Sequence, residues 1–109
     1  MTQVTIEPGI CGLKTKVAVQ ADEDMENITV KVATGCPNIR EMMKMVGEEF
    51  DVFDFCLTKP GKGPLYEYAS AAFPGHASCP VIAGIIKCAE VEAGLALPKD
   101  AVIHFEDKA

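Results

Sequence analysis

The stretch Leu13-Lys14-Thr15-Lys16-Val17-Ala18-Val19-Gln20, followed after an acidic break by Ile28-Thr29-Val30-Lys31-Val32, decides the architecture. Leu13, Thr15, Val17 and Val19 fall on one side, and Lys14, Lys16, Ala18 and Gln20 on the other. Period-two alternation with one apolar side is the signature of a strand buried on a single face. Ile28, Val30 and Val32 repeat the pattern. The intervening run from Asp22 to Glu26 supplies a polar turn, so the two segments predict an antiparallel hairpin. No Asn-Gly pair marks that turn, which leaves the register open.

Helical spacing takes over after the hairpin. Gly35-Cys36 ends the second strand and Pro37 suits a first helical position, where its missing N–H costs nothing. Ile39, Met42, Met43 and Val46 share one face, with Gly47 as the stop. Within the methionine group, Met42 is expected in the core and Met45 outside it. The stretch from Glu48 to Phe55 reads as a short helical turn leading into an extended piece. Lys59-Pro60-Gly61-Lys62-Gly63-Pro64 is a loop; it has the residue types of a phosphate loop without the spacing. Pro64 opens a short helix to Ala72, stopped by Pro74-Gly75. A longer helix runs from Pro80 to about Ala93, with Ile82, Ile85, Ile86 and Ala89 inward and Gly94 as its stop. Ala101-Val102-Ile103-His104-Phe105 is β-rich and predicts a third strand. The expected fold is α+β: a two-layer sandwich of the N-terminal hairpin and a C-terminal strand, with two to three helices on one face. One domain accounts for residues 1–109.

Composition narrows the function. Apolar residues are 49% of the chain, charged residues 24%, and the net charge is −6. A phosphate backbone demands the opposite sign, so nucleic acid is not an expected partner. The acids are clumped, Asp22, Glu23, Asp24 and Glu26 in one group and Glu48, Glu49, Asp51 and Asp54 in another, as solvated faces. No apolar stretch is long enough for a bilayer, and Met1-Thr2-Gln3-Val4 carries no leader signal, so a cytoplasmic location is expected. The chain is read as a monomer or homodimer that leaves room for a protein partner.

Five cysteines carry the chemical interest, and an odd count without a secretory signal argues against a disulfide framework. The frame Cys-Pro-x-Ile occurs twice, at Cys36-Pro37-Asn38-Ile39 and Cys79-Pro80-Val81-Ile82, each time at the mouth of a predicted helix. Thiols at helix entrances are favoured as thiolates, the form that binds metals or attacks electrophiles. Cys11, in Pro8-Gly9-Ile10-Cys11-Gly12, and Cys56, before a loop, also stand at element ends. Cys88 lies inside the last helix and reads as a core residue. The stretches between the four boundary cysteines are 24, 19 and 22 residues, with no Cys-x2-Cys knuckle. Three readings stay open on these residues: a four-thiolate metal site, a reactive thiol at Cys79 or Cys36, and a small interaction domain whose cysteines simply pack. His76, three residues before Cys79, and His104 are expected in solvent, and neither Ser70 nor Ser78 sits in a nucleophile elbow.

The order of these cysteine motifs resembles the TSCPD domain family. Its members show an early Cys before a hairpin, Gly-Cys after the second strand, a third Cys after the first helical region, and Ser-Cys-Pro opening the last helix. The counterparts here are Cys11, Gly35-Cys36, Cys56 and Ser78-Cys79-Pro80, covering residues 11–93. Ala77 replaces the motif's Thr and Val81 its Asp. The resemblance implies a metal-binding module with Cys11, Cys36, Cys56 and Cys79 as ligands and no defined reaction. Four thiolates suit a structural zinc ion, or alternatively an iron–sulfur cluster.

Overall fold

A computed structural model describes residues 1–107. Four strands form one antiparallel sheet in the order β1-β2-β3-β4: β1 (Thr2–Ile6), β2 (Thr15–Ala21), β3 (Asn27–Thr34) and β4 (Glu49–Asp51). Four helices complete the chain: α1 (Pro37–Val46), α2 (Val52–Cys56), α3 (Pro64–Ala72) and α4 (Val81–Glu92). The result is the two-layer α+β sandwich that the alternation implies.

The central hairpin pairs Val17 with Val32 and Val19 with Val30. These side chains turn toward the helices, and Val17, Val19, Ile28 and Val30 are buried. Lys16, Gln20, Lys31 and Ala33 face water on the open side. Ile39, Met42, Phe55, Leu65, Val81, Ile85 and Cys88 close the core from the helix layer. Burial of each large apolar side chain contributes roughly 1.5–3 kcal/mol. Met45 is exposed while Met42 is fully buried, as the helical spacing requires.

Three expectations are corrected. Residues Ala101–Phe105 form no strand; they run free of the sheet with Val102, Ile103 and Phe105 exposed. Both sides of the hairpin are taken, one by β1 and the other by β4, and the segment pairs with neither outer edge; strand composition alone does not supply a partner. The N-terminal residues Thr2–Ile6 supply the strand instead; Val4 and Ile6 alternate with Gln3 and Thr5, a pattern short enough to pass for an irregular start. Finally, the order in the Glu48–Phe55 stretch is strand before helix. The Asp51 carboxylate accepts hydrogen bonds from the N–H groups of Phe53 (2.8 Å) and Asp54 (3.2 Å), so it caps α2 and fixes where extended backbone ends. Phe50 and Phe55 then stack at 4.6 Å, which closes this corner. The helix layer holds four helices where two to three were expected, because of this extra turn.

α4 is the element that orients the rest. It lies across β1 and β2. At its middle, Gly84 meets Ile6 so closely that a Cβ there would stand 2.6 Å from Ile6 Cδ1. At its end, Glu92 accepts hydrogen bonds from the Thr2 hydroxyl (2.8 Å) and the Ala21 N–H (2.9 Å). Gly94 takes a left-handed φ of 77°, and the Leu95 N–H returns to the Glu90 carbonyl at 2.8 Å to finish the helix.

Candidate functional site

The strand registers give the sheet two ends. Thr2, Ala21, Asn27 and Asp51 mark one end; Ile6, Thr15 and Thr34 mark the other. α4 runs from the second end to the first, since Gly84 contacts Ile6 and Glu92 contacts Thr2. Cys79, five residues before Gly84, therefore lies beyond the Ile6 end. Cys36 is two residues beyond Thr34 and lies at the same end. Cys11 is in the loop that joins Ile6 to Thr15, again at that end. Three of the four boundary cysteines thus lie toward the same end of the sheet, without forming a cluster close enough to share an ion.

Local hydrogen bonds shape this corner. The Gly12 N–H donates to Gly9 O and the Lys14 N–H to Gly12 O, both at 3.0 Å, folding the Cys11 loop on itself. The Gly35 N–H donates to Lys14 O at 3.3 Å, which holds that loop's exit against the Cys36 corner. Cys36 is the N-cap residue of α1; its N–H donates to the Thr34 hydroxyl at 3.1 Å, and its thiol makes no cap bond. The first-turn N–H groups of α1 remain without intrahelical partners. Cys79 stands one position farther out than Cys36 does, because Pro80 is itself the cap of α4.

The five cysteines differ in access, and none is in a disulfide. Cys11 is exposed, Cys36 and Cys79 are half-buried against the core, and Cys56 and Cys88 are buried. Cys88 is the core residue expected, its thiol donating to Thr2 O at 3.3 Å. Burial pushes its pKa up to about 11. Cys56 is set apart from the other three ligand candidates. It ends α2, which starts at the Asp51 end, and lies in a cleft of about 250 Å³ with Lys59, Lys62, Tyr66, Lys87 and Glu90. Burial, with the Glu90 carboxylate as a second cause, pushes the Cys56 thiol up to about 11. Both buried thiols are protonated at neutral pH.

For metal binding, the donor types fit but the side chains are not placed together. Soft sulfur donors at one corner, next to the unpaired N–H groups of a helix, suit zinc or an iron–sulfur cluster. Among the described residues, no three His, Cys, Asp or Glu side chains stand close enough to hold an ion. The Cys11 loop is exposed and glycine-flanked. His76 is exposed in the loop before Cys79, as expected, and His104 is exposed on the free C-terminal segment.

No helix among the described residues is long and apolar enough to cross a membrane. The model of a family of unknown function (DUF6951) matches residues 2–105, and the chain belongs to that family. No curated protein and no solved structure matches the chain.

Proposed function

We propose that this family member is a small metal-binding module, with Cys11, Cys36, Cys56 and Cys79 as ligands and zinc as the ion. An iron–sulfur cluster is the alternative occupant. The observation that supports this reading is that Cys11, Cys36 and Cys79, from three distant parts of the sequence, lie toward the same end of the sheet. The likeness of the cysteine order to TSCPD domains supports the same set. Binding would draw the exposed Cys11 loop onto the helix entrances, coupling metal affinity to local folding. Cys56 is the most costly ligand to recruit, because its buried thiol must first lose a proton beside Glu90. Five unpaired thiols suit a reducing compartment such as the cytoplasm.

The experiment is elemental analysis and reconstitution of anaerobically purified protein, with single Ser variants of all five cysteines. Stoichiometric zinc, lost in C11S, C36S, C56S and C79S but kept in C88S, is expected. Brown protein with absorption near ~400 nm would assign an iron–sulfur cluster instead. Full metal content in C56S would reduce the set to the three thiols toward one end of the sheet. A chain that retains no metal, refuses it on reconstitution and shows one fast-alkylating cysteine at position 36 or 79 would be a thiol enzyme or redox carrier.

A further inference from the structure

The free C-terminal segment and one edge of the sheet have matching unmet needs. Leu97, Val102, Ile103 and Phe105 are 79–91% exposed, an apolar load seldom left in water over so short a stretch. The run Ala101–Phe105 has strand composition, with Ala101, Ile103 and Phe105 on one side and Val102 and His104 on the other. In the sheet, β1 and β4 are the outer strands, so each has a row of N–H and C=O groups facing away from its neighbour. β1 is five residues long, the length of Ala101–Phe105. Val4 and Ile6 of β1 are partly buried toward the helix layer, while Gln3 and Thr5 are exposed. A strand added beside β1 with Ile103 and Phe105 inward would extend that apolar face and continue the polar one.

Charge separates the two edges. β4 is three residues long and carries Glu49 and Asp51, next to Glu48. The C-terminal segment is flanked by Asp100, Glu106 and Asp107, so it would meet β4 with like charge. Thr2–Ile6 has no charged residue, and the adjacent Glu7 is paired with Lys14 at 3.4 Å. The chain's own β1 is also within its neighbourhood, since α4 ends beside Thr2, yet the segment leaves that edge unpaired.

We propose that residues 101–105 of one copy pair with the β1 edge of a second copy, reciprocally, to form a strand-exchanged homodimer. The helix stop ends at Leu95, and the five residues between it and Ala101 span up to roughly 18 Å when extended, enough to reach a neighbour's edge. Exchange in both directions would bury on the order of 2,000 Å² in total, in the range of stable dimers. The five-residue pairing supplies main-chain hydrogen bonds, and Ile103 and Phe105 supply the apolar contact. This pairing is independent of the metal site, which lies on other residues.

Light scattering on the full chain, on a chain ending at Pro98 and on the I103D/F105D double variant tests it, with hydrogen exchange read at the β1 amides. The full chain is expected at twice the mass of one chain, and both variants at one. The β1 amides that point away from β2 are expected to exchange at least tenfold faster in the variants. A monomeric full chain overturns the proposal, whether its β1 amides are open or are protected by its own segment. A dimer that survives both variants also overturns it. Because the segment packs on nothing in its own chain, neither variant endangers the fold.

Discussion

The two ends of the sheet are built from different chemistry. At the Thr2 end, carboxylates tie the elements together. Glu92 joins α4 to β1 and β2, and Asp51 caps α2. Asp22 accepts from the Glu26 N–H (2.9 Å) and the Asn27 side-chain amide (3.1 Å), which shapes the turn between β2 and β3. At the Ile6 end the only carboxylate tie among the described residues is the exposed Glu7–Lys14 ion pair (3.4 Å), and thiols and glycine-flanked loops make up the rest. Cys11 is exposed there, and the Cys36 thiol makes no cap bond. One end is tied by carboxylates that reach between elements; the other is held by the Thr15–Thr34 hydroxyl pair and by the Gly35 N–H on Lys14 O. The contrast teaches that the carboxylate ties between elements sit at the end of α4 away from Cys79, which precedes the helix cap.

The strongest way to break the contrast is Gly84→Val. Its side chain would strike Ile6 and lift α4 from β1, loosening both ends at once; a loss of about 3 kcal/mol in denaturant unfolding is expected. Glu92→Ala attacks only the Thr2 end and should cost about 2 kcal/mol, since it removes the acceptor of the Thr2, Ala21 and Gln20 hydrogen bonds and the partner of the N-terminus. Its pH dependence follows. Burial pushes the Glu92 carboxyl up, but the Ala21 N–H and the Thr2 hydroxyl outweigh it and hold its pKa below the ordinary value. A lowered folded pKa gives stability that is present above the unfolded pKa of about 4.3 and lost as pH falls through the folded one. Glu92→Gln should therefore flatten the acid limb of a stability–pH curve and leave the neutral region nearly parallel to the parent's.

Smaller effects probe the other end. Thr15 is fully buried, and its hydroxyl shares a 2.7 Å hydrogen bond with that of Thr34. Thr15→Val should cost about 1 kcal/mol by thermal unfolding, through the partner hydroxyl left behind. Cys11→Ser should change the stability of metal-free protein by less than about 0.5 kcal/mol, because the residue is exposed. In timed alkylation of metal-free, native protein at neutral pH, Cys11 should react first and Cys56 and Cys88 last. Equal rates at all five would mean that the core opens faster than the reagent reacts.

Much of this was legible in the residues. Alternation located the hairpin because its two strands bury one face each, and helical spacing located α1 and α4 because their apolar faces are wide. Cys88 followed from its place inside α4. What escaped depended on pairing or on single contacts. Thr2–Ile6 and Ala101–Phe105 have the same strand-like composition, yet only the first pairs, because composition does not say which edge a segment meets. The Asp51 cap reversed the order of helix and strand near Phe53. The placement of Cys11, Cys36 and Cys79 toward one end of the sheet needed the direction of α4, which Gly84 and Glu92 set and no spacing between cysteines reveals.

The paired hydroxyls of Thr15 and Thr34 also act as an alignment mark. They sit opposite one another in the last rung of the β2–β3 ladder, directly before Gly35 and Cys36. A slip of one residue would bring Lys14 or Lys16 opposite Thr34, turn Val17 and Val19 to water and leave a buried hydroxyl unpaired. It would also carry the Cys36 corner about 3.3 Å past the Cys11 loop. Fidelity in the hairpin is thus inherited by the thiols: a misthreaded chain would lose its core and its cysteine corner in the same error.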